Sequence, residues 1–99
     1  AAGAGGALMR LQWSSKALSD LVRLHAFLAA VNKPAAARVV KSLTAATAGL
    51  IANPRIGEKL EEFAPAEVRR ILVGHYEMRH EIVESTVYVL CLWHTREER

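Results

Sequence analysis

The chain predicts an α+β fold, β-α-α-β-β-β in order, with a helical hairpin packed on one face of a small, mainly antiparallel sheet. Three observations predict it. Two stretches in the first half carry apolar residues at helical spacing. The last third, Val68–Arg99, divides into three strand-like runs separated by two tight-turn positions. A short alternating run, Arg10–Trp13, precedes the helices. A length of 99 residues allows one domain with one modest core.

Residues 1–8, AAGAGGAL, carry neither charge nor period. They read as an expression remnant or a disordered tail, which leaves residues 9–99 as the single domain. Leu11–Trp13 is placed as a strand beside Thr86–Trp93. Ser14 and Ser15 are natural N-caps, because a Ser hydroxyl accepts from the free N–H groups of a first helical turn. Ala17, Leu21, Leu24, Leu28 and Val31 then recur three and four apart, with Lys16, Asp20 and Arg23 off that stripe and His25 at its boundary.

Asn32-Lys33-Pro34 ends the first helix and opens the second, with proline in the first turn where its missing N–H costs nothing. Ala35, Val39, Leu43, Ala46 and Leu50 continue the core face, with Arg38 and Lys41 outside it. The many alanines favour helix and allow close approach to the first one. Asn53-Pro54 stops the helix, since a residue before proline is pushed from helical geometry. So short a connection makes the two helices an antiparallel hairpin.

Arg55–Ala66 reads as a loop with a solvated acidic end at Glu58, Glu61 and Glu62. Val68–Val73, Tyr76–Val83 and Thr86–Trp93 follow as strands, joined at Gly74-His75 and Glu84-Ser85. Thr86–Trp93 is apolar in both its odd set (Val87, Val89, Cys91, Trp93) and its even set (Tyr88, Leu90, Leu92). A strand apolar on both faces is an interior strand that needs cover on each side. The expected core is Leu21, Leu24, Leu28, Val39, Leu43, Leu50, Ile71, Val89 and Cys91.

No apolar run approaches the roughly 20 residues of a membrane helix, and no signal-peptide pattern is present. The single Cys91 cannot form an internal disulfide, so a cytoplasmic setting is the expectation. No cofactor or metal pattern stands out. The net charge of +3 is unevenly spread: up to Gly57 seven Lys/Arg face only Asp20, and from Glu58 onward nine acids outnumber six bases. The basic half suits an acidic partner, either a nucleic acid or an acidic protein segment.

On the second strand Tyr76, Met78, His80 and Ile82 share one face, and Glu77, Arg79, Glu81 and Val83 the other. Arg69 or Arg70 can come beside Arg79 across the ladder. A concave sheet face gathering Arg70, Arg79 and His94 would suit RNA cleavage. Arginines hold the phosphate and offset its growing charge, and a histidine near neutral pKa moves protons. Ordinary cross-strand charge pairing gives the same pattern.

The element order and Val68–Arg99, with its Trp93-His94-Thr95-Arg96 close, resemble the RelE/ParE superfamily of type II toxin–antitoxin toxins, the ParE-like branch most. The Pro54-Arg55-Ile56-Gly57 stretch is similar to the loop that follows the second helix in that family. Set against the Val-Gly-Asp-Tyr of RNA-cutting members, Val73-Gly74-His75-Tyr76 has Leu72 where an arginine is usual, and Ala64-Pro65-Ala66 where a lysine pair is usual. His94 matches a histidine found in both branches.

The resemblance implies a toxin held by a cognate ParD-like antitoxin with an acidic C-terminal segment. It implies DNA gyrase as the target, inhibited by binding, with Arg69, Arg79 and Arg96 as target-binding candidates. Arg23, Arg38, Lys41 and Trp93 are the antitoxin-binding candidates. The alternatives are a ribosome-dependent mRNA endoribonuclease, with Arg70, Arg79 and His94 as its catalytic candidates, and a non-toxic small binding domain. Plasmid stabilisation is the associated biological role, and no membrane partner is implied.

Overall fold

The computed structural model describes residues 9–96; the segment 1–8, read above as a remnant or tail, and residues 97–99 lie outside the described residues. The elements in chain order are β1 (Arg10–Trp13), α1 (Ser15–Ala29), α2 (Lys33–Ala52), β2 (Glu58–Lys59), a 3₁₀ turn (Glu61–Phe63), β3 (Glu67–Val73), β4 (Tyr76–Val83) and β5 (Thr86–His94). The sheet order is β1-β5-β4-β3-β2. β1 runs parallel to β5, with Leu11 beside Val87 and Trp13 beside Val89, and the remaining pairs are antiparallel. This is the expected fold with one strand more. The sequence predicts a loop at β2 because two polar residues carry no period; the pairing of Glu58 with Arg70 is what makes it a strand.

Local chemistry sets the helix starts. Ser14, extended at φ −67° and ψ 161°, accepts from the Ala17 N–H at 3.0 Å. Asn32 does the same for Ala35 at 3.0 Å, with Pro34 in the first turn of α2. The β3–β4 and β4–β5 turns each place one residue in the left-handed region, Gly74 at φ 61° and Glu84 at φ 54°. By length and mean composition alone α2 is apolar enough to cross a membrane, although Lys33, Arg38 and Lys41 interrupt its apolar run.

The core lies between the helices and the inner sheet face. Ala17, Leu24, Leu43, Tyr76, Met78, Val89 and Leu92 form it, with Leu11, Trp13, Leu21, Leu28, Val39 and Ile71 packed against them. Leu50 is buried outside this cluster. Three expectations on the helices fail. Val31, past the end of α1, is 85% exposed. His25 is exposed instead of at the boundary. Asp20, placed off the stripe, is 6% exposed and belongs to the helix–sheet contact.

A β-bulge explains Asp20 and corrects the core list. On β5 the register steps from Val89 opposite His80 to Cys91 opposite Arg79, which leaves Leu90 as the extra residue. Faces exchange there. Val87 and Val89 face the helices before the bulge and Leu92 after it, so buried Cys91 lies with Arg79 on the outer face, away from the core it was assigned to.

β1 ends opposite Val89, where Ser14 N–H still donates to the Val89 carbonyl at 2.9 Å. Beyond that point α1 takes over the strand edge. Ser14 Oγ donates to the Leu90 carbonyl at 2.8 Å, and the Leu92 N–H donates to Asp20 Oδ2 at 3.1 Å. A helix side chain thus satisfies backbone groups that a short β1 leaves unpaired.

Candidate functional site

The outer face of the sheet carries the arginines singled out above. Arg70 stands opposite Arg79 across the β3–β4 ladder, and Glu77 lies opposite Trp93 across β4–β5. Arg70 Nε donates to Glu58 Oε1 at 2.8 Å and its Nη1 to Glu77 Oε1 at 3.1 Å. The bonds from Glu58 and then Glu77 push the Arg70 guanidinium above its already high value, so it stays a cation. Arg79 Nε reaches Glu77 Oε2 at 3.4 Å. Its guanidinium lies 5.0 Å from the centre of the Trp93 ring and 5.8 Å from that of Phe63.

This layer supplies part of the outer cover that β5 requires. The segment after β2 folds back, Leu60 bonding to the Val68 carbonyl at 2.8 Å, and brings Phe63 to Arg79. Trp93, expected on an exposed partner surface, is therefore 8% exposed. Leu72, Val83 and Tyr88 are the large apolar residues of the outer face left open.

His94 does not join Arg70 and Arg79. The bulge turns it away, and its ring meets Tyr76 edge-on at 5.1 Å and stacks on His75 at 5.9 Å. The expected three-residue gathering is thus two arginines on the outer face and one histidine at the other side of the sheet. Arg69 is separated too. It pairs with His80 on the inner face, binds Glu67 at 3.1 Å and donates to the Gly57 carbonyl at 3.0 Å. Arg96, beyond β5, lines a cleft with Arg23 and Phe27. Arg69, Arg79 and Arg96 accordingly occupy three separate places.

The Asn53–Gly57 loop is held from below. His80, fully buried, faces the Pro54 carbonyl through Nε2 at 2.8 Å; a carbonyl only accepts, so Nε2 carries the proton. Nδ1 is the buried side-chain polar atom without a partner among the described residues. Burial, with a smaller contribution from Arg69, lowers the His80 pKa from the usual histidine value and keeps the ring neutral. Glu67 is partly buried, which works to raise its pKa, but the hydrogen bonds from Arg55 and Arg69 prevail and lower it. Gly57 sits at φ 93° so close to β3 that a Cβ would stand 2.3 Å from the Arg70 carbonyl oxygen.

Of the antitoxin-binding candidates, Arg23, Arg38 and Lys41 stand apart from the sheet site and Trp93 belongs to it. Arg23 and Arg38 border two clefts on either side of Tyr76. Lys41 is exposed on α2 and Trp93 is on the outer face. Sequence reasoning missed Asp20, Phe63, Tyr76 and His80 as organising residues. Only Tyr76 had a visible signal, an aromatic next to a glycine turn.

Among curated proteins no relative matches. Among solved structures the chain is similar to one described as the chromosomal ParDE TA system from P. aeruginosa, with a TM-score of 0.72 at 20% identity, over 88% of this chain and 96% of that one. At that identity the likeness speaks for the fold. The family model described as the ParE toxin of type II toxin-antitoxin system, parDE, matches residues 11–99, and the chain belongs to that family.

Proposed function

We propose that this chain is a toxin that inhibits DNA gyrase by binding, and that it is neutralised by a cognate antitoxin. The observation that carries the non-catalytic part is the separation of the arginines from His94. RNA cleavage by an internal hydroxyl needs a proton-transfer group within hydrogen-bond reach of the phosphate that the arginines hold. Here the arginine face offers Glu77, already engaged by both Arg70 and Arg79. The histidine is packed against Tyr76 and His75 on the other side. Leu72 adds an exposed apolar group beside the arginines, which suits a protein surface better than a phosphate backbone.

Membership of the ParE family supports the toxin reading. The relative solved as a ParDE system supports an antitoxin partner. The test sets a supercoiling assay with purified gyrase beside an mRNA-cleavage assay on translating ribosomes. Inhibited supercoiling with intact message is expected, and His94→Ala should leave it unchanged while Arg79→Ala weakens it. Cut message without gyrase inhibition would overturn the reading in favour of ribosome-dependent cleavage. Neither activity would leave a non-toxic binding domain.

A further inference from the structure

We propose that the guanidinium edge of Arg79 is a seat for one carboxylate side chain of the protein target, pre-set by the aromatic rings on which the arginine packs. This rests on the reading of the chain as a toxin that acts by binding, and names the chemistry of that contact. Arg79 lies on the outer face of β4, beside Arg70 on β3 and Cys91 on β5. The bulge sends Trp93 to the same face, and the segment after β2 brings Phe63 to it. The guanidinium carbon is 5.0 Å from the centre of the Trp93 ring and 5.8 Å from that of Phe63. Arginine stacks on aromatic faces through its plane, which leaves the N–H groups at its edge to bond.

That edge is only partly used. Nε reaches Glu77 Oε2 at 3.4 Å, long for a hydrogen bond, and Nη1 and Nη2 make none among the described residues. The side chain is 23% exposed and holds no buried polar atom without a partner, so its open donors meet solvent. Arg70 differs, with Nε bonded to Glu58 at 2.8 Å and Nη1 to Glu77 at 3.1 Å. Pairing and ring cover therefore fix the plane of Arg79 and stop short of its fork.

Charge and surroundings select the occupant. A planar fork of N–H donors fits the paired oxygens of a carboxylate or of a phosphate. Glu58 and Glu77 already balance Arg70 and Arg79, and Glu61 and Glu62 stand exposed in the same turn as Phe63. A sugar–phosphate chain would carry successive charges past these carboxylates, and like charges across an interface disfavour it. A lone carboxylate need meet only the Arg79 edge. The rim is apolar: Phe63 is 42% exposed, and Leu72, opposite Glu77 on the same face, is 60% exposed. A protein side chain with apolar neighbours covers such a rim, and tryptophan and arginine are the residue types on which interface energy concentrates.

The test uses the full chain and three labelled probes: a short peptide with one central Asp flanked by leucines, the same peptide with Asn in place of that Asp, and an oligothymidylate of the same length. Affinity is read by fluorescence anisotropy and located through the guanidinium resonances of Arg79 and the indole resonance of Trp93. The Asp peptide should bind roughly tenfold or more tighter than the Asn peptide, as a charge-assisted bond requires, and should move both resonances. Arg79→Lys keeps the charge and loses the fork, so it should erase that difference. Phe63→Ala, at an exposed position, should weaken the Asp peptide roughly two- to fivefold. Circular dichroism checks that both variants are folded.

Equal affinity for the Asp and Asn peptides, an Arg79→Lys variant that still tells them apart, or no binding of any probe would overturn the proposal. Tighter binding of the oligothymidylate would overturn it in favour of a phosphate site. Supercoiling assays separate this failure from that of the toxin reading. An Arg79→Lys variant that inhibits gyrase as strongly as the parent refutes the seat and leaves the target standing. A parent chain that fails to inhibit gyrase yet binds the Asp peptide at Arg79 refutes the target and leaves the seat.

Discussion

Removing the Asp20 carboxylate tests the helix–sheet junction most directly. Asp20 accepts from the Leu92 N–H at 3.1 Å and is bonded by Lys16 Nζ at 3.1 Å, with Arg23 at 3.8 Å. Its side chain is 9% exposed, while those of Lys16 and Arg23 are 65% and 53% exposed. The solvent-exposed cations therefore add little, about 0–1 kcal/mol between them after screening. The backbone bond dominates. Asp20→Leu leaves the Leu92 N–H buried without an acceptor, which costs about 1–3 kcal/mol.

The leucine substitution also relieves the desolvation of a buried carboxylate, which offsets part of that loss. We expect a net loss of about 2 kcal/mol, with Asp20→Asn, which keeps an acceptor oxygen, losing about half as much. Urea denaturation gives the comparison through its midpoint at constant slope. Faster exchange of the Leu92 amide in Asp20→Leu locates the effect. Equal stability of the leucine variant and the parent, or an asparagine variant as damaged as leucine, would refute the account.

Gly57→Ala should destabilise by more than about 1 kcal/mol, because the positive φ and the clash with the Arg70 carbonyl act together; a neutral result in thermal unfolding would show that the loop moves freely. Leu43→Ala, at a site 1% exposed in the main cluster, should cost about 2–5 kcal/mol by chemical denaturation. His80 ties stability to pH: burial lowers its folded pKa, so the unfolded chain binds more protons. The contribution is complete above the unfolded value of about 6.5 and is lost as pH falls below it. Urea midpoints should drop between pH 7 and pH 5.5, and His80→Leu should flatten that part of the slope. Trp93→Ala should release Arg79 and be read as quenched near-ultraviolet dichroism together with a stability loss of about 3–5 kcal/mol.

The elements that repeat a physical period were legible in the chain. Leu24 and Leu43 are where a 3.6-residue stripe puts them, and the Gly74 and Glu84 turns fall between runs of strand-forming residues. Even the place of Leu11–Trp13 beside β5 could be anticipated, since a strand apolar on both faces is an interior strand, but its parallel sense could not. Val31 shows the limit of the same logic. It continues the spacing of the stripe three residues past Leu28, but the helix has already ended at Ala29, and periodicity does not register where the backbone stops.

The site was less legible because one inserted residue reverses the meaning of alternation. Along β5 the odd and even positions are both apolar, so the pattern gives no sign that the faces exchange at Leu90. Yet that exchange sends Trp93 outward to hold Arg79 and turns His94 inward to Tyr76. Had the strand been regular, Cys91 would have faced the core and His94 would have stood on the face of Arg79, the arrangement that RNA cleavage needs. The same bulge sits at the strand edge that Ser14 and Asp20 satisfy, so the interaction docking α1 also fixes which face His94 takes. A strand edge capped by a helix carboxylate thus sets apart an arginine face, paired and covered, from the end of the sheet where His94 packs on Tyr76.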